Sequence, residues 1–279
     1  MATVFLNGEY IPLEKAFIHV MDRGFIFADG VYEVIPVFNQ HIFRLEEHLQ
    51  RLNNSLDAVY MTNPYDNRAW SNILYTLTKQ GNVPNQSLYI QVTRGISERD
   101  HDIDTGNRPT VFVMCNPIKN KGYDRGISAI THDDIRWQYC HIKAINLLPS
   151  VLLRHRAKEK GARETILIRG DQVTEGAASN VFIVQGSTVK TPPKDGSVLP
   201  GITRDLLVEL LNNADMKCEE SIITLSELRT ADEIWITSST WEVVPVIELD
   251  SRQVGGGVPG KMWNRANRIY QEFKSRLSN

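Results

Sequence analysis

Residues 173–182 read Val-Thr-Glu-Gly-Ala-Ala-Ser-Asn-Val-Phe, and they are the most informative part of the chain. A carboxylate, Glu175, stands between a β-branched pair and a run of small residues. Small side chains let a flat ring approach the backbone closely, and a carboxylate beside a pyridine nitrogen keeps that nitrogen protonated. The alternative is a glutamate of an exposed turn. The segment therefore predicts a partner for a ring nitrogen.

Upstream, Lys143 stands among apolar residues in the segment 142–148, Ile-Lys-Ala-Ile-Asn-Leu-Leu. A covered lysine loses hydration, which leaves more of the amine in its neutral, nucleophilic form. Imine formation with an aldehyde requires such an amine. For an isolated lysine, a side chain that reaches out to solvent is the better interpretation. The motifs that follow Lys143 in the sequence are what favour a nucleophilic role for it.

Downstream, residues 199–205 read Leu-Pro-Gly-Ile-Thr-Arg-Asp, a glycine turn that opens a helix. Free backbone N–H groups and the helix dipole favour an anion there, although Thr203 also fits a simple N-cap. The hydroxyl run Thr237-Ser238-Ser239-Thr240 ends a strand and offers further donors, or is merely a polar junction. An amine anchor, a ring-nitrogen partner and a phosphate cradle are together what pyridoxal phosphate needs.

Composition restricts the class of protein. The 279 residues are 42% hydrophobic with a net charge of −2, so we expect neither a nucleic-acid nor a membrane partner. We expect no signal peptide, because the N-terminus lacks a basic start and a long apolar run. Three dispersed cysteines argue against a disulfide framework and for a reducing, cytoplasmic location.

Periodicity predicts an α+β fold with two sheet-containing domains. We expect an N-terminal α/β domain over residues 1–117, a linker over 118–122 and a C-terminal domain over 123–279. A hairpin is predicted around Asn7-Gly8. Helices are predicted at 44–60, 68–80, 150–160, 204–213 and 261–277, and strands at 30–38, 88–94, 110–115, 127–130, 164–168, 180–184, 188–191, 233–237 and 243–249.

The N-terminal half adds candidate anion-binding groups. His48 and Arg51 share a helix face, and Arg51 could clamp a phosphate with two hydrogen bonds; a solvated helix face fits equally well. In an extended segment Arg99 and His101 point to the same side and would grip a carboxylate, unless they belong to an ordinary charged loop.

Two further features of the sequence could indicate nucleotide or metal binding, but neither fits that chemistry well. Residues 255–261, Gly-Gly-Gly-Val-Pro-Gly-Lys, have the spacing of a nucleotide-binding P-loop. However, Met262 replaces the magnesium-binding hydroxyl and Pro259 lacks an N–H, so we predict a flexible connection. The acidic groups around His101 and His132 lack a recognised ligand spacing, and we predict no metal site.

The sequence resembles the fold-type IV pyridoxal-phosphate enzymes, which include D-amino-acid transaminases, branched-chain aminotransferases and aminodeoxychorismate lyase. The similarity spans almost the whole chain. It is carried by Asp29–Glu33, Arg44–Arg51, Lys143, Thr174–Phe182, Leu199–Arg204 and Ser238–Val246.

The resemblance implies pyridoxal 5′-phosphate as cofactor, a Schiff base on Lys143, and Glu175 paired with the pyridine nitrogen. It implies that Leu199 packs behind the ring and that the phosphate is held by Arg51, Ile202, Thr203 and either Ser239 or Thr240. It also implies a homodimer with shared active sites, in which a smaller α/β domain and a larger barrel-like C-terminal domain enclose the site.

Within the family, Tyr32, Arg99 and His101 match the carboxylate trap of D-amino-acid transaminases, with the last two supplied by the partner subunit. Trp137 also resembles that subgroup, whereas Ala177 and Ala178 replace its frequent hydroxyl residues. We therefore expect transamination between a D-amino acid such as D-alanine and a 2-oxo acid such as 2-oxoglutarate. The alternatives are an L-branched-chain aminotransferase, aminodeoxychorismate lyase and, more remotely, a non-catalytic binding protein.

Overall fold

A computed structural model describes residues 2–81, 83–103, 106–119 and 122–276. The chain forms two compact units. The N-terminal unit runs to Lys119 and includes Ile142–Asn146, and the C-terminal unit comprises the other described residues. Of the predicted linker, Asn120 and Lys121 lie outside the described residues.

The N-terminal unit is a six-stranded antiparallel sheet with helices packed against it. Its elements are β1 (Thr3–Leu6), β2 (Glu9–Pro12), α1 (Arg23–Phe27), β3 (Gly30–Phe38), β4 (His41–Ile42), α2 (Leu45–Ala58), α3 (Asn67–Gly81), β5 (Gln86–Thr93) and β6 (Thr110–Pro117). The strands lie in the order β2-β1-β6-β5-β3-β4.

Hydrophobic spacing explains why the two long helices of this unit lie on the sheet. Leu49, Leu52 and Leu56 on α2 recur at intervals of three and four residues and are buried in one core with strand residues such as Ile35 and Ile90. The Asn7-Gly8 turn adopts positive φ at both positions, as a tight hairpin turn requires. The predicted hairpin and both helices are therefore confirmed.

The segment Ile142–Asn146 belongs with the N-terminal unit, although it was predicted to lie within a continuous C-terminal domain over 123–279. The backbone explains the difference. Tyr32 N donates to Lys143 O at 2.9 Å, and Ile145 N donates to Gly30 O at 3.0 Å. These bonds attach the segment to the start of β3, and hydrophobic periodicity gives no sign of such a pairing.

The C-terminal unit contains a nine-stranded mixed sheet that forms a half-barrel. Its elements are β7 (Ile127–Asp133), α4 (Leu148–Glu159), β8 (Glu164–Arg169), β9 (Gln172–Gly176), β10 (Asn180–Gln185), β11 (Thr188–Thr191), α5 (Ile202–Asn213), β12 (Cys218–Glu220), α6 (Leu225–Arg229), β13 (Glu233–Ser238), β14 (Glu242–Leu249), β15 (Arg252–Gln253) and α7 (Lys261–Arg276). The strand order is β12-β11-β10-β13-β14-β7-β8-β9, with β15 paired to β14.

Both faces of the central strands in this sheet are buried. Val181 and Ile183 lie in one apolar cluster with Ile234 and Ile236, while Phe182 stacks on Trp235 at a centroid distance of 6.3 Å. Continuous apolar runs of β-branched and aromatic residues suit such strands. The two units together give the predicted α+β fold.

In the P-loop-like segment, the backbone amides at the start of α7 bind a protein carboxylate instead of a phosphate. Glu233 accepts hydrogen bonds from Met262 N at 2.9 Å and Trp263 N at 2.8 Å. A Cβ on Gly260 would lie 2.0 Å from the same carboxylate, so glycine is needed for this close approach. The segment caps a helix with Glu233 and leaves these amides no place for a phosphate.

None of the helices in the described ranges combines the length and hydrophobicity needed to span a membrane.

Candidate active site

Lys143 is held by its backbone, and its amine lies against an aromatic ring. Its N–H donates to the Ser55 hydroxyl at 3.2 Å, and its flanking residues Ile142 and Ala144 are buried in the core of the N-terminal unit. Lys143 Nζ lies 4.3 Å from the centre of the Tyr32 ring. The side chain itself is only half-buried, so the amine is oriented by Tyr32 and still accessible.

Arg51 lies in a buried charge cluster rather than on a solvated helix face. Its Nε and Nη2 donate to the two oxygens of Glu33 at 2.9 and 2.5 Å. His48 Nδ1 lies 3.2 Å from Glu33 Oε1, as expected for residues that share a helix face. The alternative of a solvated face is therefore wrong, because all three side chains are buried.

The charges in this cluster are set by burial and by each other. Burial would raise the pKa of Glu33, but the Arg51 guanidinium and the His48 hydrogen bond hold it well below its usual range. Burial lowers the pKa of His48 despite the nearby Glu33 carboxylate. Glu33 is therefore ionised and pairs with the cation of Arg51.

Glu175, near the end of β9, is a buried carboxylate that accepts hydrogen bonds from several donors. Asn180 Nδ2 donates to it at 2.9 Å, Leu199 N donates at 3.1 Å, and Arg136 Nη1 forms an ion pair with it. Asn180 also donates to Leu199 O at 2.9 Å, which ties the carboxylate to the segment before α5. The geometry rules out the exposed-turn alternative for Glu175.

Arg136 joins Glu175 to a second carboxylate. Its Nε and Nη2 donate to Asp134 at 2.9 Å each, and Asp134 also accepts from Arg169 at 2.8 Å. Burial disfavours the charged guanidinium, yet the hydrogen bonds of Asp134 and the charge of Glu175 raise the pKa of Arg136 above its ordinary range. Burial also acts on Asp134, but Arg136 lowers the pKa of that carboxyl. The network therefore keeps Asp134 ionised and gives Glu175 a cationic partner.

The start of α5 has no side-chain cap on its backbone amides. Ile202 and Thr203 are its first residues, and the N-cap is Gly201, which offers no side chain to the amides. A Cβ on Gly201 would lie 2.0 Å from Asn180 Oδ1, so a larger residue would displace the amide that donates to Glu175. Thr203 lies inside the helix and is not its N-cap, so that alternative is wrong. Amides at the positive end of a twelve-residue helix suit a phosphate.

The hydroxyl run begins with Thr237 and Ser238, the last two residues of β13, and continues into the turn that follows. Ser239 and Thr240 form the turn to β14 and are half-buried. Thr237, two residues earlier, carries a buried hydroxyl without a hydrogen-bond partner in the described part of the chain. The end of β13 therefore carries one buried hydroxyl that no described protein group satisfies, beside the half-buried turn of Ser239 and Thr240.

The N-terminal unit brings Arg99 and His101 together on one aromatic ring. The Arg99 guanidinium lies 5.3 Å from the centre of the Phe27 ring, and the His101 ring centre lies 5.4 Å from it. Both side chains are exposed. Trp137, in the C-terminal unit, packs edge-on against Tyr139 at 5.7 Å.

Sequence reasoning missed four residues that contact these groups. Arg136 and Asn180 hold Glu175, Glu33 holds Arg51, and Phe27 lies under Arg99 and His101. Glu33 and Asn180 were quoted only within motifs, and no spacing rule links Glu33 or Arg136 to partners far along the chain. Free thiols at Cys115, Cys140 and Cys218 agree with the predicted lack of disulfides.

Comparisons with known proteins show which sequences this chain resembles. The sequence profile of the amino-transferase class IV family matches residues 30–249. A D-alanine aminotransferase of Bacillus licheniformis is 38% identical over 261 residues, which cover 93% of this chain and 92% of that protein. A D-alanine aminotransferase of Staphylococcus haemolyticus is 34% identical over 276 residues, or 98% of each chain.

Solved structures show the same fold. A branched-chain amino acid aminotransferase of Escherichia coli superimposes with a TM-score of 0.90 at 25% identity, covering 97% of this chain and 94% of that one. A hypothetical aminotransferase from Mycobacterium tuberculosis, solved in its PLP-bound form, gives a TM-score of 0.87 at 23% identity, covering 97% of this chain and 98% of that one.

Proposed function

This chain belongs to the amino-transferase class IV family, and on that premise we propose how its residues carry out pyridoxal-phosphate-dependent transamination of D-amino acids. The enzyme class and the cofactor follow from the family and from D-alanine aminotransferase relatives of 32–38% identity over nearly the full chain. The observation that carries the residue assignment is Lys143, whose amine lies over the Tyr32 ring while its backbone is fixed to β3 and Ser55.

The donor set in each unit fits the cofactor. We assign the phosphate to the α5 amides of Ile202 and Thr203, to Ser239 or Thr240, and to the guanidinium of Arg51. Support comes from the uncapped start of α5 and from the hydroxyl turn after β13. Glu175 would pair with the ring nitrogen, which its ion pair with Arg136 supports, and Leu199 would lie against the ring.

When bound, pyridoxal phosphate supplies an electron-withdrawing ring that accepts the electron pair released at the substrate α-carbon. The protein supplies proton transfer and orientation. Lys143 Nζ removes the α-proton, and the Tyr32 ring keeps the amine in place between steps. Glu175, which Arg136 and Asn180 hold in place, would hold the ring nitrogen of the cofactor in its protonated form.

The substrate carboxylate is bound by Tyr32, Arg99 and His101 in this proposal. Two cationic or hydrogen-bonding groups on one Phe27 ring support it, since they offer a carboxylate convergent donors. The position of the carboxylate relative to Lys143 then decides which enantiomer presents its α-proton to the amine. An amino group is stored between a first and a second substrate, so ping-pong kinetics are expected.

We further propose a cytoplasmic homodimer in which the partner subunit supplies Arg99 and His101. Three free cysteines support a reducing location. Large apolar side chains exposed in one segment of the N-terminal unit, Phe17 at 80%, Val20 at 68% and Phe25 at 77%, support a subunit interface.

The proposal is tested by measuring amino-group transfer to 2-oxoglutarate from D-alanine and from L-alanine separately. We expect D-alanine to react far faster, and a faster reaction of L-alanine would contradict the assignment. L-leucine and aminodeoxychorismate test the branched-chain and lyase alternatives. The branched-chain alternative fits less well, because the D-alanine aminotransferase relatives reach 38% identity and the branched-chain structure only 25%.

A further inference from the structure

The Phe27 ring contacts three side chains that carry or border the proposed carboxylate site. The Arg99 guanidinium lies 5.3 Å from its centre, the His101 ring 5.4 Å and the Arg23 guanidinium 4.8 Å. A cation is attracted to the face of an aromatic ring. Phe27 therefore lies where it can restrict the conformations of Arg99 and His101 together.

The position of Phe27 is itself fixed by the start of α1. Asp22 caps this helix by accepting from Gly24 N at 2.8 Å, and it also accepts from the Thr93 hydroxyl at 2.7 Å. A Cβ on Gly24 would lie 2.2 Å from the Thr93 side chain, so the helix packs directly on β5. This packing holds a five-residue helix that would not be stable alone.

Arg23 connects the same helix to the backbone between Arg99 and His101. Its Nη1 donates to Asp100 O at 2.6 Å, and its Nε donates to Asp29 at 2.8 Å. Arg94 holds Asp29 from the other side at 2.8 and 3.0 Å. Although burial raises it, the pKa of Asp29 is lowered by hydrogen bonds from Arg94 and Arg23, so the anchor is ionised.

We propose that Phe27 and Arg23 are positioning residues that pre-organise Arg99 and His101 for the α-carboxylate of the substrate. Arg23 fixes the backbone at Asp100, and Phe27 limits the side chains on either side of it. This inference rests on the proposed carboxylate-binding role of Arg99 and His101. A long arginine side chain loses rotamer freedom when it binds, and prior restriction reduces that loss.

The test measures carboxylate binding in the holoenzyme in two ways: KM for D-alanine, and the inhibition constant of propionate, which is D-alanine without its amino group. We expect Phe27→Leu to raise both constants by about three- to ten-fold, because cation–π contacts are lost. Arg23→Lys keeps the charge but loses the planar fork. We expect it to raise both constants by roughly five-fold, while kcat changes by less than about two-fold in either variant.

Two further variants separate positioning from a general loss of structure. Phe27→Trp keeps an aromatic face, and both constants should remain within about two-fold of the wild-type values. Tyr75→Leu removes an exposed aromatic side chain from α3 in the same unit and should change neither constant. If Phe27→Leu does not fold, Arg23→Lys and Phe27→Trp still decide the question.

A double-mutant comparison shows whether Phe27 acts through its neighbours. In an Arg99→Ala/His101→Ala background, Phe27→Leu should change the propionate constant by less than about two-fold. An effect as large as in the wild type would overturn the inference, as would unchanged constants in both Phe27→Leu and Arg23→Lys.

The Arg99→Ala variant distinguishes this failure from failure of the proposed function. Loss of charged hydrogen bonds should raise KM for D-alanine and the propionate constant about ten- to a hundred-fold. If Arg99→Ala raises both constants and Phe27→Leu does not, the positioning role of Phe27 is wrong, and the proposed carboxylate site is still supported. If Arg99→Ala leaves them unchanged, the carboxylate site is wrong and the inference fails with it.

Discussion

Each buried carboxylate of the candidate site is matched to a guanidinium. Glu33 pairs with Arg51 in the N-terminal unit, and Glu175 pairs with Arg136 in the C-terminal unit. A buried charge without a partner is costly, and paired groups keep their ionised forms. The site therefore also depends on Glu33 and Arg136, which would contact neither substrate nor cofactor.

Arg136→Met tests this dependence in the C-terminal unit. Methionine is similar in length but leaves Asp134 and Glu175 without their shared cation, so we expect the free energy of unfolding at pH 8 to fall by about 3 kcal/mol. The ionised forms of these buried carboxylates then become less favourable, above all that of Glu175, because Asp134 keeps its hydrogen bond from Arg169. As the pH falls, protonation removes the cost of burying an unpaired charge in the folded variant. The difference in the free energy of unfolding between variant and wild type should therefore narrow between about pH 8 and pH 5.

The measurement is urea denaturation of both proteins across this pH range. Arg169→Met is the matched control, because Arg169 also pairs with Asp134 but its side chain is 33% exposed. We expect it to cost less than about 1 kcal/mol. A variant at Arg136 as stable as wild type at pH 8 would contradict the account of this network.

At the scale of elements, Glu33 on β3 binds Arg51 and His48 on α2, so one carboxylate joins the sheet to the helix above it. The folded-state pKa of Glu33 is depressed. A depressed carboxyl pKa contributes stability above the unfolded pKa of about 4.3, and that stability is lost as pH falls below it.

Glu33→Gln should therefore change the pH dependence of stability as well as its size. At pH 7 we expect the free energy of unfolding to fall by about 3–5 kcal/mol, because a buried ion pair is broken, and the midpoint of denaturation to fall with it. Between about pH 5 and pH 3 the variant should lose less further stability than wild type. Glu47→Gln, on the exposed face of α2, is the control. Parallel pH curves for Glu33→Gln and wild type would contradict this prediction.

Elements with strong periodicity could be predicted from the sequence, and short or locally paired ones could not. The strand Gly30–Phe38 was predicted with its observed bounds, and the long helices α2 and α3 differ by one or two residues at each end. α1 and α6 span five residues each, too few to show a helical period. β9 was missed because its residues Thr174 to Gly176 were interpreted only as a motif.

The same limit applies to the site. The order of Lys143, Glu175 and Gly201-Ile202-Thr203 predicts the chemistry, because each motif is local in sequence. Arg136 donates to Glu175 across 39 positions, and Arg51 donates to Glu33 across 18 positions. Such pairs depend on strand order and helix packing, which hydrophobic patterns do not specify.

At the scale of the whole molecule, the proposed dimer divides each site between subunits, with Lys143 from one chain and Arg99 from its partner. A mixed dimer of Lys143→Ala and Arg99→Ala subunits tests this division. It contains one site in which both residues are intact, so D-alanine should react there with the wild-type KM and about half of the wild-type kcat.

The control is each variant alone. Lys143→Ala homodimers should be inactive, and Arg99→Ala homodimers should show a KM raised about ten-fold or more. Differently tagged, co-expressed subunits allow the mixed dimer to be purified. If the mixed dimer keeps the raised KM of Arg99→Ala, both residues act within one chain and the shared-site proposal is wrong.

The most direct measurement concerns the bond between the lysine and the cofactor. Borohydride reduces a linkage between a protein amine and the cofactor aldehyde to a stable secondary amine, which survives proteolysis. We predict that the phosphopyridoxyl group will be found on Lys143, in the tryptic peptide of residues 137–154 that results because cleavage after a modified lysine is blocked. A group on any other lysine, or no covalent group at all, would contradict the account.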